Sequence, residues 1–354
     1  MKPNKILLGI LAVILIALSF FLFPIQRKVE QELTGLEIAH QSTQFLDSMR
    51  LPDNTYFLNK QCDGTRTESI PQSNAWALLA YSGLYEAHDS KALSMIDQEL
   101  QTIFTVSRDL NGQAAFSLTA VQLAKAYAIA KREQLQSAPI LLTFIVGYAD
   151  TLSLIQDPSV LDSAMLLAIA SRQLALTYQI LGVDKYGEQT PQLRAQMLNK
   201  SYEYLSLAQS ELAAEKPWFQ DFKGDTCWVT LAQLELAQAT GKDIEQVQTI
   251  FDTISFNQLE TVPNELPPAA LQPCIETLLI LYRKTNQKHY LDQAISINQY
   301  LVSSKWDSAY NKQCTADNGF LLSAGSLKLH TDTAYQIYLL AQPELKDRLF
   351  KVSR

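Results

Sequence analysis

Glycine is scarce in this chain, 12 residues in 354, and nowhere does it gather into a loop that could cradle phosphate. A dinucleotide fingerprint, an HExxH pair and a GxSxG elbow are all missing. These absences exclude nucleotide-dependent, zinc-protease and elbow-serine chemistry, each of which needs its residues at fixed spacing. Histidine is as rare, at four residues, and Cys62, Cys227, Cys274 and Cys314 are too far apart for a CxxC metal pattern. No metal and no cofactor is therefore expected. Positive charge is also short, with 29 Lys and Arg against 36 Asp and Glu. Nucleic acid is excluded as a partner, because binding it takes basic surface to displace counterions.

What is present begins with Ile6 to Phe23, an uncharged apolar run preceded by Lys2 and Lys5 and closed by Pro24. Eighteen helical residues reach about 27 Å, the hydrocarbon thickness of a bilayer. Residues 1–28 are read as a membrane anchor, with contact to lipid through 6–23. A cleaved signal peptide is the alternative, since Ala17-Leu18-Ser19 has small-x-small spacing. Lys2 and Lys5 on one side balance Arg27 and Lys28 on the other. The amino terminus then adds positive charge to the short side, which places it inside and residues 29–354 outside the cytoplasmic membrane. Without the two anchor lysines the chain has 27 basic and 36 acidic residues, a net charge of −9.

Outside the cytoplasm the cysteines can pair, and four of them allow three connectivities. Asn59-Lys60-Gln61-Cys62 recurs as Asn311-Lys312-Gln313-Cys314. If the two tetrapeptides mark equivalent loops of a repeat, Cys62 pairs with Cys314 and leaves Cys227 for Cys274.

Helix signals dominate the remainder. Residues 33–50 read as a first amphipathic helix. Apolar, Ala-rich helices then begin near Ser73, Ala115, Ser159, Asp225, Pro268 and Thr331. More polar helices alternate with them near 90–105, 136–154, 192–213, 243–255, 289–303 and 344–352. A helix apolar nearly all round is buried on every side, and one with a polar face lies outside it. Six buried helices ringed by six amphipathic ones give an all-α fold, an (α/α)6 toroid of helical hairpins behind the transmembrane helix. An open helical solenoid is the competing layout. The hairpins are too long for tetratricopeptide units, whose period is about 34 residues.

From about residue 33 onward this layout resembles the six-hairpin glycosidase superfamily. Val160-Leu161-Asp162-Ser163-Ala164-Met165-Leu166-Leu167-Ala168 is similar to the Asp-containing start of an inner helix in family 8 endoglucanases. The resemblance implies that Asp162 works beside a catalytic water and that Glu68 stands where the general acid is sought. Two departures weaken the match: Glu68 is followed by Ser69-Ile70-Pro71 instead of glycine, and no second Asp lies just upstream of Asp162.

In such a ring the loops entering the inner helices converge on one cleft. Sugar hydrolysis needs two carboxyl groups astride the glycosidic bond, one protonated and one ionised. The candidates are Glu68 or Asp63 as acid and Asp162 or Asp225 as base. Aromatic rings offer flat faces to sugars, so Trp218, Trp306 and Tyr310, with Asp332, are the candidate substrate contacts. Asp225 and Asp332 also have a simpler explanation as helix caps. Trp76 and Trp228 read as core, and His330 beside Asp332 is the histidine of interest. The sequence thus points to a membrane-held protein acting on or binding cell-surface polysaccharide. The alternative is a non-catalytic scaffold for other envelope proteins.

Overall fold

The computed structural model describes residues 31–69, 72–109, 120–217, 222–254, 256, 259, 266–307, 314, 316–322 and 327–352, the side chains of 68, 69, 72 and 107–109 aside. The expected anchor over residues 1–28 lies outside this set. The fold is all-α in class: 69% of the described residues are helical, and among them there are twelve α-helices.

The chain enters through strand β1 (Gln31–Thr34) into helix α1 (Gly35–Met49). Thr34 and Glu37 form a capping box, in which Glu37 N–H donates to Thr34 Oγ1 at 3.2 Å and Thr34 N–H donates to Glu37 Oε2 at 2.7 Å. Strands β2 (Phe57–Gln61) and β3 (Arg66–Ser69) follow, then helices α2 (Gln72–Glu86), α3 (Ala92–Asp109), α4 (Ala120–Arg132) and α5 (Ala138–Ser153). Helix α6 (Ala164–Val183) starts later than the sequence suggests. Asp157 caps only one 3-10 turn at Pro158–Val160, and Ser163 is the true N-cap, its side chain accepting Leu166 N–H. Helices α7 (Thr190–Ala214), α8 (Thr226–Thr240), α9 (Glu245–Thr253), α10 (Pro268–Thr285) and α11 (Lys288–Ser304) complete the middle of the chain. Gly241 and Asn286 end α8 and α10 in the left-handed conformation. Short strands β4 (Trp306–Asp307), β5 (Gly319–Phe320) and β6 (Leu327–Leu329) lead to α12 (His330–Leu340) and β7 (Leu349–Val352).

The even-numbered helices pack in succession: α2 on α4, α4 on α6, α6 on α8, α8 on α10, α10 on α12, and α12 back on α2. The odd-numbered helices lie against them, α3 on α2, α5 on α4, α7 on α6, α9 on α8, α11 on α10 and α1 on α12; α5 is an exception to the expected polar outer set, being apolar with Ile140 exposed. Neighbouring even-numbered helices run parallel, because their first turns meet. Asp225 Oδ2 accepts Met165 N–H at 2.8 Å, Trp228 Nε1 donates to Ala269 O at 3.0 Å, and Gln272 Nε2 donates to Asp332 O at 2.7 Å. We call the end where these helices begin the mouth and the opposite end the base. Helix α1 runs the other way, from base to mouth. Its Gly35 N–H donates to Arg348 O beyond the end of α12, while Arg50, just past its last turn, bonds Tyr56, whose ring lies 4.5 Å from His330 at the start of α12.

One expected helix is absent. Residues 344–352 form turns and β7, which pairs antiparallel with β1 in the register Gln31↔Val352 to Thr34↔Leu349. Helix α1 takes the outer position against α12 instead. A three-stranded sheet of order β3-β2-β6, which the sequence did not suggest, joins the two ends of the fold. Cys62 is bonded to Cys314 and Cys227 to Cys274, as the repeated tetrapeptide implied. Among the described residues one helix, α6, is long and apolar enough to cross a membrane, and 61% of its apolar window is buried inside the fold.

Candidate functional site

At mid-height the apolar helices meet around charge. Arg172 on α6 donates to Glu235 Oε1 on α8 (3.0 Å) and to Glu276 Oε1 on α10 (2.7 Å). Lys125 on α4 stands 2.8 Å from Glu276 and 3.9 Å from Glu235. Tyr335 on α12 donates its hydroxyl to Glu276, and Trp76 on α2 lies 5.4 Å from the Tyr335 ring. Every even-numbered helix thus contributes one group to the centre, and the two cations cancel the two anions. Burial opposes ionisation of Glu276, but Arg172 and Lys125 outweigh it and hold its carboxyl far below the usual range. The same partners keep Lys125 and Arg172 charged against their own burial. Both glutamates share one Arg172 nitrogen, so their Oε1 atoms lie no farther apart than the two contacts combined, 5.7 Å. Two carboxyl groups this near each other could act on a sugar only if one were a protonated acid. Glu276, fully ionised between two cations, cannot supply it.

The mouth differs from this saturated centre. Among the described residues twelve buried side-chain polar atoms have no hydrogen-bond partner, and six of them fall in the first turns of three consecutive inner helices. They are His330 Nδ1, His330 Nε2 and Asp332 Oδ2 on α12, Ser73 Oγ and Asn74 Oδ1 on α2, and Gln122 Oε1 on α4. Burial raises the Asp332 carboxyl to about 7, with the Thr331 hydroxyl opposing. Burial, then the Arg50 guanidinium, lowers His330 to about 3, so its ring is neutral. Beside them Arg50, Tyr56 and Asn74 all bond the buried Glu99 carboxylate on α3. Such unpartnered groups are unusual, because a buried polar group without a partner costs about 1–3 kcal/mol.

The sequence candidates are distributed unevenly. Asp332 is at the mouth, in the group just described. Asp225 is there too, though it caps the neighbouring α6 instead of its own helix. Close by, Glu215 at the end of α7 is raised by burial and by the Asp225 carboxylate. Asp63 sits exposed at the tip of the β2–β3 turn, where accepting Thr65 N–H lowers its pKa. That is the behaviour of a turn former, opposite to what a general acid requires. Asp162 lines a groove with Leu207 and Glu211 of outer helix α7, so it faces the outer wall, away from the centre. Glu68 belongs to β3, with its side chain outside the described set; Trp218 and Tyr310 lie outside it altogether.

Trp306 needs correction. It is fully buried, and its indole N–H is shared between Ser42 Oγ (3.1 Å) and Asn318 O (3.0 Å), which makes it core and not a sugar platform. Next to it the Asp307 carboxylate accepts Cys314 N–H, Ala316 N–H and Lys328 Nζ. Lys328 and Lys60 both bridge to Asp317, and together they hold its carboxyl below the usual range despite burial. This ion cluster and the Cys62–Cys314 bond fix one rim of the mouth.

Tyr127 and Lys131, spaced as in some dehydrogenases, meet on Asp184 at the base and are structural. Among the described residues no group of three His, Cys, Asp or Glu is arranged to hold a metal ion. Sequence reasoning did not find Lys125, Arg172, Glu235, Glu276 or Glu215. The first four had a signal, since each is a lone charge inside an apolar helix. No protein-family model matches the chain, and no characterised protein does.

Proposed function

We propose that the chain is an (α/α)6 toroid, tethered outside the cytoplasmic membrane by residues 6–23, that binds cell-surface polysaccharide at its mouth and hydrolyses it. The closed succession of apolar helices supports the toroid, and two disulfides support an oxidising compartment. The observation that carries the site is a set of six buried polar atoms in the first turns of α12, α2 and α4 that have no hydrogen-bond partner among the described residues. Sugar hydroxyls both donate and accept, and would satisfy such a set. Asp332, neutral up to about pH 7, is the carboxyl in the proton-donating state that hydrolysis requires. Asp225 and Glu68 remain the carboxylates to test beside it.

The test uses full-length protein in detergent against a panel of neutral, amino and acidic polysaccharides, scored for binding and for release of reducing ends. One polysaccharide should bind, and Asp332→Asn should lower its turnover by 100-fold or more, in the range of a lost general acid, about 10²–10⁴. Binding to none of the panel, or full activity in both Asp332→Asn and Asp225→Asn, would remove this reading.

A second reading has its own observation. Asp63, Asp225, Glu235 and Glu276 each already serve the fold, so a non-catalytic envelope scaffold would need no further carboxylate. It predicts partner proteins and no saccharide binding in the same assay.

A further inference from the structure

We infer that Trp76 is the platform on which a sugar residue of the bound polysaccharide lies, and that Ser73, Gln122 and Asp332 hold the hydroxyls at its edge. The unit this arrangement fits is a pyranose, whose ring offers a flat face of C–H groups and a rim of hydroxyls. The inference deepens the polysaccharide-binding reading and rests on it.

Its geometry is a repeated spacing. Ser73 and Trp76 on α2, Gln122 and Lys125 on α4, and Asp332 and Tyr335 on α12 are each three residues apart. Residues three apart on a helix share a face and differ in height by about 4.5 Å. The second member of each pair is turned to the centre. Lys125 Nζ is 2.8 Å from Glu276, the Tyr335 hydroxyl donates to Glu276, and the Trp76 ring lies 5.4 Å from that of Tyr335. The first members form a tier nearly one turn closer to the mouth. Each is buried and carries a side-chain oxygen with no partner among the described residues. A purely structural role does not account for that tier, since an unpartnered buried polar atom weakens a fold.

Trp76 differs from the other described tryptophans. Trp306 is fully buried, and Trp228 is buried with its indole N–H donated to Ala269 O. Trp76 stays half-buried although its helix is enclosed by α3, α4, α12 and α1, and no described residue accepts its indole N–H. The Tyr335 ring packs beside both Trp76 and Trp228, at 5.4 and 6.1 Å, which fixes the indole as a rigid surface. Such a surface suits the C–H face of a pyranose. A ring laid on it turns its hydroxyls outward, toward the oxygen-bearing tier above. They can donate to Gln122 Oε1 and Ser73 Oγ and accept from the Asp332 carboxylic acid.

The test uses full-length protein in detergent and three soluble polymers of pyranose units: hydroxyethyl cellulose, glycol chitosan and polygalacturonate. Affinity is read from retardation in gels containing each polymer. For a polymer that binds, Trp76→Ala should weaken affinity about ten-fold or more, and Trp76→Phe no more than about three-fold. The polymer should also change the intrinsic fluorescence of the parent protein, and Trp76→Phe should lose half or more of that change while still binding. Ser73→Ala and Gln122→Met remove unpartnered oxygens, so each should melt at the parent's temperature or above it yet bind several-fold more weakly. Unchanged binding in both overturns the role given to that tier. Parental affinity in Trp76→Ala overturns the platform and leaves the polysaccharide reading standing. If that variant does not fold, an undiminished fluorescence change in Trp76→Phe overturns the platform instead. A parent protein that binds none of the three polymers removes the polysaccharide reading, and the platform falls with it.

Discussion

Replacing Arg172 by Met tests whether the charged centre holds the inner helices together. The side chain is buried and serves two carboxylates at once, Glu235 and Glu276, at 3.0 and 2.7 Å. Methionine fills much of the same volume but leaves Lys125 as the sole cation for two anions. Removing one partner of a buried pair typically destabilises by about 3–5 kcal/mol, because the other charge stays behind uncompensated. At about 2.1 cal/mol/K per residue, a fold of this size loses roughly 0.7 kcal/mol of stability per degree near its midpoint. The expected fall in melting temperature at pH 7 is therefore about 4–7 °C, read by far-ultraviolet circular dichroism.

The pH dependence provides a second check. In the intact protein Glu276 has a folded pKa below its ordinary value of 4.5. Its contribution is fully present above that value and is lost as pH falls toward the folded pKa. The variant lacks the main cause of this depression, so the stability gap between the two proteins should narrow below about pH 4.5. The double variant Arg172→Met/Glu235→Gln restores balance between Lys125 and Glu276 and should recover half or more of the loss. A melting temperature within about 1 °C of the parent, or a gap unchanged between pH 7 and pH 4, would show that the centre tolerates unpaired charge and refute the argument.

Three other perturbations follow from the same structure. Asp332→Asn should stabilise the fold by about 2–4 kcal/mol at pH 8 and by almost nothing at pH 4, measured by urea unfolding, because a carboxyl raised to about 7 favours folding less as pH climbs from its ordinary 3.8. Equal effects at both pH values would show that this carboxyl ionises normally. Gly83→Ala places a Cβ 2.9 Å from the Tyr338 Cα across the α2–α12 contact. Backbone cannot step aside there, so a loss of about 1–3 kcal/mol is expected in the same assay. Removing Cys62–Cys314, whose residues are 252 apart, should lower the urea midpoint more than removing Cys227–Cys274, 47 apart. Loop-closure entropy assigns them about 5 and about 4 kcal/mol, and a reversed order would contradict that account.

Much of the helical layout was legible because burial leaves a compositional trace. The stretch NAWALLAYSGLYEA has no polar face to show water, and its helix α2 is enclosed by α3, α4, α12 and α1. Boundaries were read less well. Asp157-Pro158-Ser159 is a sound start signal, yet it begins one 3-10 turn, and the connection to Ser163 had no marker of its own. Strands β2, β3 and β6 are three to five residues long. At that length no alternation can be told from loop, so the sheet joining the chain's two ends was invisible. Trp306 was misread for a related reason: the residues around it are polar, yet its indole N–H is bonded inward to Asn318 O, Cys314 N–H is bonded to Asp307 beside it, and the ring is fully buried.

The central charges carry a broader lesson about reading such helices. Lys125, Arg172, Glu235 and Glu276 each interrupt an apolar run: VQLAKAYAIA, AIASRQLAL, LAQLELAQ and PCIETLLIL. A helix buried on all sides has no water to offer a charge, so a lone Lys, Arg or Glu within it demands a buried counter-ion on another helix. Two cations and two anions in four such helices imply one shared meeting point before any coordinates are known. The same logic separates centre from mouth. Where the charges are matched, the helices are committed to each other and leave little for a ligand. Where Asp332 Oδ2, the two His330 ring nitrogens, Asn74 Oδ1 and Gln122 Oε1 lie, no partner is found among the described residues. On the proposed reading, a saccharide is thus expected to meet those polar groups at the mouth and a closed set of ion pairs at the centre.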